Sequence, residues 1–192
     1  FDPERVYPFL AKLGVKRARV QTGWSRCEPA RGVYDFTWLD EVVDNLLELG
    51  VLPWFNLGFG NQLYMPDAPH PSAVGCVPLY YGQETLDAWL CFVSTLAEHF
   101  AGRVREWEIW NEPNADCFWR PAAPNAKDYV HFVKLCSDCI RQKIPDAFII
   151  GGATAGLLPV VLEEYLETGL GELIDAYSFH PYRSIPEWGY AE

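Results

Sequence analysis

The chain has 192 residues, 49% of them apolar and 21% charged, which is enough for one sizeable core and too little for two large domains. A formal net charge of -11 excludes a nucleic-acid partner, whose phosphates need a basic surface. No uninterrupted apolar run approaches the roughly 20 residues that cross a bilayer, so no spanning helix and no membrane partner are expected.

Apolar residues at Val6, Phe9, Leu10 and Leu13 predict a helix that starts at Asp2 and Pro3 and ends at Gly14. Val15 to Gln21 reads as a short strand with arginines at alternate positions, and Gly23 to Gly32 as a turn-rich loop. Thr37 is the expected cap of a second helix, whose apolar face is Leu39, Val42, Val43, Leu46 and Leu47. A continuous apolar run predicts a strand from Val51 to Leu57, covered on both faces. The segment from Gly58 to Tyr81 is irregular, and loops of that length in a compact domain usually carry function.

A helix from Glu84 to Phe100 leads into the stretch Val104-Arg-Glu-Trp-Glu-Ile-Trp-Asn-Glu-Pro-Asn114. This begins as an aromatic-rich strand and must stop at Pro113, which cannot donate to a sheet ladder. The remaining chain reads as an aromatic loop at Cys117-Phe-Trp-Arg-Pro, a helix over 125–143, a strand over 147–151, a helix over 160–167 and a strand over 174–179. That last strand runs into His180-Pro-Tyr182.

Strands alternating with helices imply an α/β fold with parallel pairing and right-handed crossovers. An open doubly wound sheet and a TIM-type (β/α) barrel both satisfy the alternation. No GxGxxG or P-loop pattern follows any strand, which weakens the nucleotide-binding reading. The polar and aromatic residues Trp24, Asn56, Asn61, Asn111, Glu112, His180 and Tyr182 instead all fall just past strand ends, the rim on which a barrel builds its site. The barrel is the expected fold, with residues 1–192 as one partial barrel domain.

Six cysteines at irregular spacing, in a chain too large to need staples, are expected to be free thiols. Cys136-Ser-Asp-Cys139 has CxxC form, but it lies in a helical pattern without a second pair, so buried packing is expected rather than a metal or redox site. No cofactor or metal is expected. Strand parity places Glu108, Trp110 and Glu112 on one face, with Glu108 deeper in the barrel. An unpaired carboxylate there is costly, so an ion pair with Arg19 or Arg17 on the neighbouring strand is expected. Glu112 by itself admits two readings, a catalytic carboxylate or an ordinary strand end.

Trp107-Glu-Ile-Trp-Asn-Glu-Pro113 resembles the signature of the retaining glycoside hydrolases of the large barrel superclan, in which the acid/base follows Asn at the end of strand four. Within it the chain is most similar to the β-xylosidase/α-L-iduronidase family. Supporting segments are the Arg19 strand with Trp24-Ser-Arg-Cys-Glu-Pro, the helix entry Gly32-Val-Tyr-Asp-Phe-Thr-Trp-Leu-Asp40, and Phe179-His-Pro-Tyr182. The resemblance numbers the strands two to six. It implies that strand one precedes Phe1, that strands seven and eight follow Glu192, and that the sequence is a fragment or a naturally reduced relative.

The resemblance also implies roles. Glu112 is expected as general acid/base, kept protonated by a low-polarity surround and the nearby nucleophile. Asn111 is expected to bond the sugar 2-hydroxyl, with His180, Tyr182 and Arg19 as sugar-binding or nucleophile-orienting groups. Trp24, Asn56, Asn61, Trp119 and Tyr64 are candidates for sugar subsites. The nucleophilic Glu is expected outside this chain, with Glu187 and Glu192 as weaker alternatives, so the chain alone should hydrolyse little. The expected partner is a carbohydrate whose identity the sequence leaves open, and open barrel edges offer a route to self-association. The N-terminus shows no signal peptide, but it is expected to lie inside the fold, which leaves localisation open.

Overall fold

A computed structural model describes residues 3–182. The elements run α1 (Pro3–Leu13), β1 (Arg17–Gln21), α2 (Trp24–Cys27), α3 (Thr37–Glu48), β2 (Leu52–Leu57), α4 (Gln83–Phe100), β3 (Glu106–Ile109), α5 (Ala126–Lys143), β4 (Phe148–Ala155), α6 (Pro159–Glu167) and β5 (Ala176–His180). Asp2, Glu187 and Glu192 lie outside the described residues. Among the described residues no helix is long and apolar enough to cross a membrane.

The five strands form one sheet in sequence order, every pair parallel, curled into an incomplete barrel with β1 and β5 as its edges. Parallel neighbours need crossovers, and α3 to α6 supply them in turn. The helix-facing side of the sheet is aromatic. Phe55 meets Phe100 of α4 and Trp107 of β3 edge-on, at 4.9 and 5.2 Å between ring centroids. These rings and Leu39, Val43, Phe92 and Ile149 are buried, and their removal from water is the main stabilising term of the fold. The concave side carries charge instead: Arg17 pairs with Glu106 and Arg19 with Glu108 across the sheet.

Several boundaries differ from the sequence reading. The loop after β1 contains the helical turn α2, held by Cys27 N–H donating to Gly23 O at 3.0 Å. Thr37 is inside α3 rather than capping it, because the Asp35 carboxylate already accepts its N–H at 2.9 Å. β4 continues four residues past Gly151, since the ladder to β5 resumes after a bulge.

The parity expected for β3 also fails at its end. Trp110 takes φ 68° and turns to the helix side, where its ring meets Phe132 of α5 and Trp89 of α4. The turn costs the strain of a bulky left-handed residue, which full burial of the indole and a 2.6 Å bond from its Nε1 to Phe118 O offset. Asn111 and Glu112 are thereby delivered to the concave side together.

Candidate active site

At the carboxyl ends of β3, β4 and β5, Glu112 sits 9% exposed with its backbone at φ 49°. Its N–H donates to Ala153 O at 2.8 Å, so its height above the sheet is set by β4. Ala153 belongs to the bulge, where Gly151 pairs with Tyr177 and Thr154 with Phe179, leaving one extra residue on β4. Gly152 has φ +89°, and a Cβ there would stand 2.6 Å from Ser178 O. The Tyr129 hydroxyl accepts the Gly152 N–H at 2.7 Å and donates to Ile109 O at 3.3 Å, and burial pushes this phenol far above its ordinary pKa. Past Pro113, Asn114 extends the β3–β4 ladder with its side chain, donating to Ala155 O at 3.2 Å and accepting Ala155 N–H at 2.9 Å.

Beneath the rim lies Glu108, only 1% exposed. Arg19 Nε donates to it at 2.5 Å, Ser178 Oγ at 2.8 Å and Asn56 Nδ2 at 3.1 Å. The expected ion pair is therefore with Arg19, while Arg17 binds Glu106 at 2.9 Å. Arg19 Nη2 also donates to Asn111 Oδ1 at 2.9 Å, and Asn56 Nδ2 to Trp110 O at 2.6 Å. His180 Nδ1 lies 2.6 Å from Glu112 Oε1. Tyr182 is 84% exposed, its ring 5.9 Å from the His180 imidazole.

The structure thus gathers Glu112, Asn111, Arg19, His180 and Tyr182 at one place. It encloses the other candidates. Trp24 is fully buried: it stacks on Tyr64 at 5.2 Å and donates from Nε1 to Glu28 at 2.5 Å. Glu28 is a buried carboxylate with three donors, taking also Tyr64 OH at 2.6 Å and Gly32 N–H at 2.7 Å. Burial, and next the bond to Glu28, push the Tyr64 phenol up to about 12. Asn61 is spent on Glu28 O and Leu63 N–H, so this group staples the loops after β1 and β2 together. Asn56 is buried beneath the rim.

Trp119 is buried on the helix side, its Nε1 donating to Tyr80 OH at 3.0 Å. Trp24, Asn56, Asn61 and Trp119 therefore offer no surface to a sugar, and packing or loop bracing is their part. The loops after β2 and β3 are joined where Arg120 N–H donates to Gly75 O at 2.7 Å and Val77 N–H to Arg120 O at 2.9 Å. Burial pushes the Cys136 thiol up to about 12 and raises Cys139, which disfavours the thiolate a metal or redox partner needs.

Ser178 carries no motif, and the Trp24-Ser-Arg-Cys-Glu-Pro segment that holds Glu28 does not announce that carboxylate's partners. Ser178 was within reach of parity, two residues before His180 on the same strand. Nothing in the spacing of Trp24, Glu28, Gly32 and Tyr64 announces that they meet.

Known proteins resemble this chain in sequence and in fold. The chain is 31% identical over 163 residues to a β-xylosidase of Caldicellulosiruptor saccharolyticus, covering 78% of this chain and 31% of that protein. It is 29% identical over 136 residues to a β-xylosidase of Geobacillus stearothermophilus, covering 64% of this chain and 25% of that one. It thus spans between a quarter and a third of the length of these relatives. A solved family 39 glycoside hydrolase from Bacteroides cellulosilyticus WH2 superposes with a TM-score of 0.73 at 23% identity, over 95% of this chain and 36% of that one. The model of glycosyl hydrolases family 39 matches residues 17–186, and the chain belongs to that family.

Proposed function

We propose that this chain forms the acid/base side of a retaining glycosidase centre acting on β-glycosides of plant or microbial saccharides, β-xylosides first among them. The observation that carries the reading is the shielded Glu112 carboxyl at the barrel rim, bonded to His180 at 2.6 Å and adjacent to the Asn111 amide. The two β-xylosidase relatives support the sugar.

In the first step a carboxylate nucleophile, from outside the described residues, bonds to the anomeric carbon. The bond to the leaving oxygen breaks, and the Glu112 proton passes to that oxygen. In the second step Glu112, now a carboxylate, takes a proton from water as the water oxygen displaces the nucleophile. Shielding from water strengthens both transfers, and His180 holds the carboxyl in place between them. The Asn111 amide donates to a sugar hydroxyl whose contact tightens as positive charge develops.

The test is hydrolysis of xylobiose and nitrophenyl β-xylosides by the protein expressed with the flanking sequence its gene encodes. Glu112→Gln should lower the rate on xylobiose by about 10³-fold and lower it less on activated aryl glycosides, whose leaving groups need little protonation. Full activity of the variant on xylobiose would refute the assignment. Sugar binding without cleavage by the parent protein would make the chain a carbohydrate-binding relative instead.

A further inference from the structure

Glu108 does more than balance a charge. We infer that it is the positioning residue of the site, setting the orientation of Asn111 and the placement of Glu112 through three separate hydrogen-bonded routes. The inference rests on the acid/base reading of Glu112.

The first route runs through Arg19. Its guanidinium has donors only, so the Asn111 atom it meets at 2.9 Å has to be the oxygen. The amide orientation is thereby decided by chemistry, and Nδ2 with its two donors is turned away from Arg19. A substrate group opposite Asn111 must accept, as a hydroxyl oxygen does. Arg19 holds this pose because Nε is locked on Glu108 Oε2 at 2.5 Å. Without that anion a partly buried cation loses its partner and is free to turn.

The second route runs through Asn56. One amide nitrogen spans Glu108 Oε2 at 3.1 Å and Trp110 O at 2.6 Å, fixing the peptide in which the chain leaves the strand at φ 68°. The third route runs through Ser178, which donates to Glu108 Oε1 at 2.8 Å and accepts Ala153 N–H at 3.0 Å. Ala153 O in turn accepts the Glu112 N–H at 2.8 Å. The carboxylate therefore reaches residues 110, 111 and 112 from β2, β1 and β5 respectively, and both of its oxygens are committed. A device that only fastened strands together would need no such convergence on three consecutive residues.

The test compares Glu108→Gln, Asn111→Ala and their double variant, again in the protein with its encoded flanking sequence, on xylobiose. Glu108→Gln keeps the shape and removes the charge. It should lower kcat by about 10²-fold while KM changes less than about threefold, because positioning acts on the transition state. In the double variant the two losses should fall short of multiplying, since one of the three routes from Glu108 runs through Asn111.

A folded Glu108→Gln protein with parental kcat overturns the proposal, and so do losses that multiply in the double variant. Should Glu108→Gln fail to fold, Ser178→Ala removes one donor without stranding a charge. It should cost about fivefold in kcat at constant KM, and parental kcat would overturn the third route and with it the convergence. Glu112→Gln, assayed alongside, separates the two readings. Its inactivity with an unaffected Glu108→Gln counts against Glu108 alone, whereas its full activity removes the site that Glu108 would position.

Discussion

His180 Nδ1 and Glu112 Oε1 stand 2.6 Å apart, so one proton lies between two groups that would otherwise set lone pair against lone pair. With Nδ1–H donating, Oε1 accepts whether Glu112 is a carboxyl, its proton then on Oε2, or a carboxylate. The imidazole can serve both stages of a retaining reaction without changing tautomer, and the acid proton stays free for the leaving oxygen. His180→Ala should therefore lower kcat by roughly 10–100-fold for poor leaving groups and much less for dinitrophenyl leaving groups. A loss of equal size across a leaving-group series would show that His180 supports the sugar rather than the proton.

Gly152 is where the fold and the site meet. Its φ is +89°, and a Cβ would stand 2.6 Å from Ser178 O and 2.7 Å from the Tyr177 ring. Neither the β5 backbone nor a ring packed beside it yields cheaply. Gly152→Ala should destabilise the protein by about 3 kcal/mol, measured by urea unfolding, from left-handed strain and overlap together. Because Ala153 follows and carries Glu112, the same change should lower kcat in whatever fraction remains folded. A loss below about 0.5 kcal/mol would mean that the bulge can relax into a regular ladder.

The order of helices and strands was legible because it rests on periodicity and on Gly and Pro punctuation, as at Gly14, Gly50 and Pro113. Glu112 and His180 were legible because short motifs follow strand ends. The turn at Trp110 was not, because a tryptophan at positive φ is chosen by tertiary packing and no local preference encodes it. The same blindness hid the extension of β4, where Gly152 and Ala153 break the alternation. Trp24 and Trp119 looked like sugar platforms because composition cannot separate a ring lining a cleft from one filling a core. Burial separates them.

Asp128 gives a pH dependence that can be measured on this chain by itself. The Tyr80 hydroxyl donates to its Oδ2 at 2.6 Å and Asn125 Nδ2 at 2.9 Å, and these two bonds lower its pKa from the usual carboxylate value. A depressed folded pKa means that stability is present above the unfolded value of about 4 and lost as pH falls through the folded one. Asp128→Asn should be less stable than the parent by about 1 kcal/mol at pH 7, a modest figure because water screens part of the interaction. The gap should close as pH falls through the lowered folded pKa, where the parent carboxylate is protonated as well. Urea unfolding followed from pH 7 into acid decides it, and a gap that persists throughout would mean that packing, not charge, is lost.

The free side of β1 makes the last prediction. Among the described residues β1 pairs only with β2, and beside it α1 and α3 leave a groove of about 690 Å³ in which Val6, Leu10, Val20, Trp38 and Val42 lie alongside Arg26 and Glu41. Phe9 and Leu13 of α1 add exposed apolar surface nearby, 65% and 70% open. A parallel edge left open among the described residues, next to a partly apolar groove, is a template for another chain. The 192-residue chain should therefore self-associate in the range of about 10–100 µM, read as a rising weight-average mass in sedimentation equilibrium. Phe9→Lys with Leu13→Lys should shift that range upward by about tenfold without lowering stability, since both side chains already face water. A monomer at every concentration would show that the net charge of -11 keeps the edges apart. Association that the double variant leaves untouched would point to the β5 edge instead.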